Sequence, residues 1–378
     1  MPVGDYLIGI GFAIVVWGGA AAVAEVVVRR RLPDLRGTPR LLASVLLGLA
    51  TLIAAHLLPG TVGLLSREAV ALVLMAAALA AWRLVPRLVL PPEAPRAEVP
   101  ASDGRLARVM AGLAIGAVGV LAIAFLARLV PDPPDHVDAL SFGLPGIAEW
   151  IRTGSLLEVG AFFPLFEVRT YPNNGDVVYL AAVLPFGNDS FVRFPAVPLL
   201  ALTGLAVYAI GRELNASFAP AALAAALVLA VPTVGEPALE HIKPDVFMYA
   251  TFAAGLLFLL RHGRTGAGAD LLLAGTGLGL AFGARWYGIS SVIAVVFVWA
   301  LATLLARRGV GQVARQSAGL AGVILAAGGY WLVRNALLTG NPVYPVDVSP
   351  FGITIFGAPP NVFAEGLGAS LVDRIGLQ

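Results

Sequence analysis

Long apolar runs recur at about 7–28, 40–58, 69–90, 106–130, 190–211, 217–232, 245–261, 269–285, 286–306 and 315–333. Most are near the length at which a helix crosses hydrocarbon, roughly 20 residues. A helix satisfies all of its own backbone hydrogen bonds, so a chain with this pattern reads as an all-α polytopic membrane protein with about ten transmembrane helices. The longest polar interruption, from about 131 to 189, holds two helical segments too short to cross. In the first, Leu140, Leu144, Ile147 and Ile151 recur at helical spacing with Glu149 and Arg152 off the stripe, the pattern of a helix lying in the membrane interface. The second, "NNGDVVYLAAVLPF", opens on asparagines suited to capping and ends at Pro185. A large structured loop bearing interfacial helices is therefore expected.

Composition sharpens this. Hydrophobic residues make up 58% of the 378, charged residues only 13%, and mean hydropathy is +0.86, outside the range of a soluble domain. Without cysteine, disulfides, thiolate metal sites, iron–sulfur clusters and cysteine nucleophiles are excluded. Lys243 is the single lysine among 25 basic residues, so arginine use reflects a coding bias. A net charge of +2 carries no sign of a nucleic-acid partner.

The placement of charge says more. The first run lacks a basic leading segment and has Arg29, Arg30 and Arg31 on its far side, as in an anchor whose N-terminus stays outside. Threading the chain from that start puts sixteen basic residues inside and nine outside. That bias supports a multi-pass protein of the plasma (inner) membrane with the 131–189 loop outside. Residues 91–104, "PPEAPRAEVPASDG", form a Pro/Ala-rich cytoplasmic linker. They separate a three-helix extension, 1–90, from a membrane core, 105–378.

Weak motifs resolve to ordinary readings. "GTGLGLAFGA" (275–284) sits inside an apolar span with no strand before it, so close helix packing is expected there and not a nucleotide site. Gly112 and Gly116 form a GxxxG for which chance is as good an account. No histidine pair stands at metal-ligand spacing, and no cofactor is expected, with a divalent metal left open.

Chemistry-bearing residues gather at the outer ends of the spans. Arg169, Arg193, Lys243, Arg285 and Arg334 lie at or beside those ends, where a cation either snorkels to headgroups or meets an anionic ligand. "LVPDPPDHVDALSFGLPGIAEW" (129–150) adds Asp132, Asp135, His136 and Asp138 just where a span emerges. The first two sit among prolines and suit turns; Asp138 suits either a helix cap or a general base. Carboxylates with cations at membrane level fit sugar transfer from a lipid phosphate. The phosphate is already a good leaving group, so the site needs cations on it and one base for the acceptor hydroxyl. An Asp beside cations stays ionised at neutral pH, because opposite charge favours its charged form.

"DALSFGLPGIAEWIRTGSL" (138–156), "YPNNGDVVYLAAVLPFG" (171–187), "KPDVFMYATFA" (243–253), "GLGLAFGARWYGI" (277–289) and "YWLVRNALLTGNPVYP" (330–345) come in an order that resembles the C-type membrane glycosyltransferases. That family uses polyprenyl-phosphate sugars and includes the protein O-mannosyltransferases and lipid A aminoarabinose transferases. The resemblance spans about 106–345. It implies a polyprenyl-phosphate sugar donor, an extracytoplasmic acceptor hydroxyl of unspecified identity, and contact with membrane lipids. Asp138 then takes the role of the essential acid of the first outer loop and Asp245 that of a second site acid. Arg285, where relatives often show lysine, becomes a phosphate partner, with Lys243 and Arg334 as further candidates. Arg334, Asn335, Asn341 and Pro342 belong to a loop closing over the donor, and Arg169, Tyr171 and Asn341 are candidates for the acceptor or substrate loop.

Two departures stand out: Phe142-Gly143 replaces a more polar aromatic–histidine pair, and relatives continue through further spans, so the core is expected to be C-terminally incomplete. A lipid-linked substrate transporter or flippase, or a non-catalytic scaffold, are the alternatives; the one-sided clustering of charge and the lack of an inverted repeat argue against the transporter.

The threading makes a direct prediction. Cysteines introduced at Ser155 and Ser102 label from opposite faces of the membrane with an impermeant thiol reagent; labelling of both from one face would overturn the topology.

Overall fold

The computed structural model describes residues 3–86, 103–129, 134, 136–157, 170–239, 242–306 and 309–357. Among these, regular structure is helical apart from one isolated bridge between Val348 and Phe356. The 91–104 linker and Arg169 fall largely or wholly outside the described residues.

The first three helices, α1 (Val3–Arg31), α2 (Gly37–Thr61) and α3 (Arg67–Leu84), pack on one another. Along α1 the buried face is Val16, Ala20, Ala24 and Val28, one residue every fourth position, while Leu7 and Ile14 point outward. Small residues on that stripe let α2 and α3 approach. Next come α4 (Arg105–Leu129), a π-helical stretch (Ala139–Gly143) running into α5 (Leu144–Thr153), and α6 (Asn174–Val183). The remaining helices are α7 (Ala196–Glu213), α8 (Phe218–Leu229), α9 (Pro232–Leu239), α10 (Asp245–Thr265), α11 (Gly268–Phe282), α12 (Trp286–Leu305), α13 (Val310–Gly328) and α14 (Tyr330–Thr339).

All ten apolar runs form helices, but fewer meet the demands of a crossing. Six are long and apolar enough by length and composition, or seven if α13 and α14, bent by 67°, count as one broken span. The other three are α3, whose 18 residues include Arg67, Glu68 and Arg83, and α8 and α11, of 12 and 15 residues. The expected count of ten thus exceeds what helix length and composition support: apolar residues flanking α8 and α11 lengthen a run without lengthening the helix, and α3 carries three charges.

The glycine-rich block of α11 is a packing surface, as its sequence context indicates. A Cβ on Gly277 would stand 2.7 Å from Gly255 Cα of α10, and one on Gly279 would stand 2.7 Å from the Ile324 carbonyl of α13. Backbone therefore meets backbone on two sides of α11, which only glycine permits. Gly112 and Gly116 have no atom within 4 Å of such a Cβ and pack against nothing described.

The short helices depart from expectation in an instructive way. In α5, Ile147 and Trp150 of the apolar face are buried in the protein, and Trp150 stacks on Trp331 with ring centroids 6.1 Å apart. Its end is pinned to the α2–α3 turn by Leu65 N–H to Gly154 O and Leu156 N–H to Gly60 O, both 2.8 Å. Gly154, at φ +69°, supplies the left-handed cap that this junction requires. Every residue of α6 is buried, packed against α1, α2, α5 and α10. It is a core element and not an interfacial one, which its nearly all-apolar face-to-face composition explains. Nor do its asparagines cap it: Asn173 makes no capping bond, and Asn174 reaches across to other helices.

The α10–α11 contact generates a paired test. Gly277→Ala overpacks a backbone crossing and lowers the melting temperature in detergent by several degrees, a loss of about 1–3 kcal/mol. Gly311→Ala, at a helical site with no atom within 4 Å of the new Cβ, leaves it unchanged or slightly raised. Equal effects of the two would sink the packing account.

Candidate active site

The site is assembled where four helical segments begin. Asn174 sets the first. Its backbone N–H donates to Gly283 O at 2.8 Å, its side-chain amide donates to Leu280 O at 3.3 Å and Ala327 O at 3.1 Å, and its Oδ1 accepts from Trp331 Nε1 at 2.8 Å. The start of α6 is thereby fixed against the end of α11 and the α13–α14 break. Gly175 follows, packed so tightly on Pro244 that an added Cβ would fall 2.3 Å from Pro244 Cβ. Tyr179, one turn further along, donates its hydroxyl to Lys243 O at 3.2 Å. These contacts bring the segment 243–245 beside the first turn of α6.

Two charged groupings result. In one, Lys243 Nζ lies 2.8 Å from Asp138 Oδ2, with His136 Nδ1 3.4 Å from the same oxygen. Asp138 sits in helical backbone at the entry to the π-helical stretch and makes no capping bond, so the capping account of this residue is not realised. In the other, Arg285 lies between two carboxylates, with Nη1 3.7 Å from Asp176 Oδ2 and Nε 3.8 Å from Asp245 Oδ2. Both separations exceed hydrogen-bonding distance, so Arg285 is held by charge while its N–H groups remain available as donors. Asp245 also accepts a hydrogen bond from the Tyr287 hydroxyl. Tyr171 packs edge-on against Trp286, ring centroids 6.2 Å apart, beside Arg285.

Asp176 and Asp245 occupy the first turns of α6 and α10, and Arg285 immediately precedes α12. Helix starts present unpaired N–H groups and a positive dipole end, which favour the carboxylates there and any anion that joins them. Burial nonetheless outweighs this at Asp176: the side chain is 11% exposed, and its carboxyl is pushed up to about 6. Loss of hydration is the main cause, the neighbouring Asp245 charge adds to it, and Arg285 opposes both. Burial likewise raises the Tyr171 hydroxyl, again opposed by Arg285.

Of the residues singled out in the sequence, Asp138 and Lys243 form one pair, and Asp245 and Arg285 share the other. Tyr171 borders the second. Arg334 is only 1% exposed; its guanidinium lies 4.7 Å over the Trp331 ring and donates to Asn335 Oδ1 and Leu156 O. It connects to the cluster indirectly, because Asn335 donates to Thr170 O next to Tyr171. Asn341 is buried too, donating to Val346 O and Gly357 O and so shaping the loop that follows α14. Asp176 was missed, although an acid in an otherwise apolar segment was a readable signal. Among the described residues, no group of three histidine or acidic side chains is placed to hold a metal ion.

Fold and site together define a multi-span helical membrane protein with an acid–base cluster at one end of its bundle. Residues 179–331 match the family model described as dolichyl-phosphate-mannose-protein mannosyltransferase, and this supports the similarity of the chain to the C-type membrane glycosyltransferases. The matched stretch runs from Tyr179 in α6 to Trp331 in α14 and contains Lys243, Asp245 and Arg285; Asp138 and Asp176 precede it. No curated protein and no solved structure matches the chain.

Proposed function

We propose that the protein transfers a sugar from a polyprenyl-phosphate donor to a hydroxyl on an extracytoplasmic acceptor. The observation that carries this reading is the Asp138–Lys243 pair at 2.8 Å beside an Arg285 whose donors are not consumed by its carboxylate neighbours. The acceptor oxygen attacks the anomeric carbon while the carbon–oxygen bond to phosphate breaks. Phosphate departs with the bonding electrons, and the acceptor proton passes to the Asp138 carboxylate. Lys243 and Arg285 neutralise the charge that grows on the leaving phosphate, which is the step at which fixed cations accelerate transfer most. Asp245 orients Arg285 and, through Tyr287, the rim of the site.

The reading places this end of the bundle outside the plasma membrane, with the N-terminus on the same side, in keeping with the arginine-rich opposite ends. It treats 1–90 as an extension to the 105–378 core, joined through the contacts of α2 with α6, α7, α10 and α11. Arg169, Tyr171 and Asn341 belong to the acceptor side, and Arg334 supports that side from within through Asn335.

Two substitutions test the roles. Asp138→Asn preserves shape but removes the proton acceptor, and transfer falls by about two to four orders of magnitude while donor binding persists. Transfer at the parent rate would remove Asp138 from the mechanism. Arg285→Ala weakens donor binding by more than about tenfold through loss of a charge-assisted contact. Unaltered affinity in the folded variant would return Arg285 to a structural role.

A further inference from the structure

The site holds three carboxylates, Asp138, Asp176 and Asp245, against two permanent cations, Lys243 and Arg285. Among the described residues these carboxylates outnumber the two cations by one negative charge. A lipid phosphodiester brings another. An anion entering a half-buried cluster that is already acidic is opposed by like charge unless a cation arrives or a carboxylate is neutralised.

The three acids are not equivalent in this respect. Asp138 has Lys243 at 2.8 Å and His136 beside it. Asp245 accepts from the Tyr287 hydroxyl. Asp176 is buried, its Oδ2 has no hydrogen-bond partner among the described residues, and its nearest cation, Arg285 Nη1, stands 3.7 Å away. Of the three acids it is the one with a buried carboxylate oxygen that no described group hydrogen-bonds.

We infer that Asp176 is a proton-controlled positioning residue for Arg285: protonation of Asp176 removes the carboxylate charge that competes with a donor phosphate for the guanidinium, so donor binding takes up a proton. This rests on the reading of Arg285 as a phosphate partner. The raised position of the Asp176 carboxyl, at about 6 and caused mainly by burial, puts the switch in an accessible range. The sign follows directly. A protonated Asp176 no longer competes with the phosphate, so affinity is greatest at and below pH 6 and declines as pH rises and the carboxylate reforms. At pH 8 only about one molecule in a hundred would carry the proton, so affinity drops by up to about 100-fold if that form alone binds.

Other groups around Asp176 are accounted for. Arg285 and Asp245 face it, and Tyr179 lies on its own helix one turn on. On α5, Glu149 lies 3.9 Å from Arg152, and on α2 the ring of His56 turns its Nδ1 to Leu52 O at 2.8 Å. His136, beside Asp138, is the residue whose contribution the experiment must separate from that of Asp176.

The experiment measures binding of citronellyl methyl phosphate to the full chain in nanodiscs between pH 5.5 and 8. This probe is a phosphodiester whose single negative charge does not change over that range. Wild type should weaken by at least about tenfold from pH 6 to 8. Asp176→Asn should bind at every pH about as tightly as wild type does at pH 6. A pH slope that survives in Asp176→Asn assigns the effect to His136 and overturns the inference, as does a flat profile in wild type. Should the variant not fold, proton release or uptake on adding the probe to lightly buffered wild type decides the matter, and absence of uptake at pH 7 overturns the inference. Failure of wild type to bind the diester at any pH removes the phosphate-site reading itself, a result distinct from the other two.

Discussion

A single buried side-chain amide connects most of the features that define the site. The last carbonyls of a helix have no partner within it, and in a membrane protein water is not at hand to supply one. Asn174 donates to such carbonyls from two helices, Leu280 O at the end of α11 and Ala327 O at the end of α13, and accepts from Trp331 at the start of α14. The α13–α14 bend of 67° is therefore compatible with burial, because the groups it exposes are engaged. Gly283 makes room for this: a Cβ there would fall 2.4 Å from Asn174 Nδ2. With α6 so placed, Gly175 meets Pro244, and Asp176 comes to face Arg285.

Charge is distributed differently at the two ends of the bundle. At the end bearing Glu213, Arg261, Arg264 and Asp270, acids and bases pair at 2.6 to 3.4 Å, and Thr265 donates to Asp270 at 2.7 Å, so the groups satisfy one another. At the other end Lys243 and Asp138 pair at 2.8 Å, but Arg285 stands 3.7 and 3.8 Å from its acids, and among the described residues Asp176 Oδ2 has no hydrogen-bond partner. A buried ionic network built only for stability gains from full satisfaction. This loosely held grouping is the one to which the proposed function assigns the donor phosphate.

The α-helical architecture, the apolar runs and the glycine block were legible because each depends on near neighbours in the chain. Apolar side chains select lipid or core, a helix satisfies its own backbone, and glycines at short spacing permit close crossings. Asp138, Lys243 and Arg285 draw notice for a related reason, whereas Asp245 enters only through the family resemblance. Charge beside a span stands out against its surroundings whatever the rest of the chain does.

What stayed hidden depends on contacts far apart in sequence. The asparagines of α6 look like caps, since capping is the local use of that side chain, yet Asn174 bonds to carbonyls that arrive from α11 and α13. Asp176 reads as an ordinary first-turn acid until Pro244 and Arg285 close over it. Arg334 reads as a cation at a membrane edge, but Trp331, Asn335 and Leu156 enclose it. By itself, then, the sequence determined that the chain is a helical membrane protein and which residues can carry charge-based chemistry. Only the tertiary structure decided which acid meets which base, because burial and distance arise when separate helices pack.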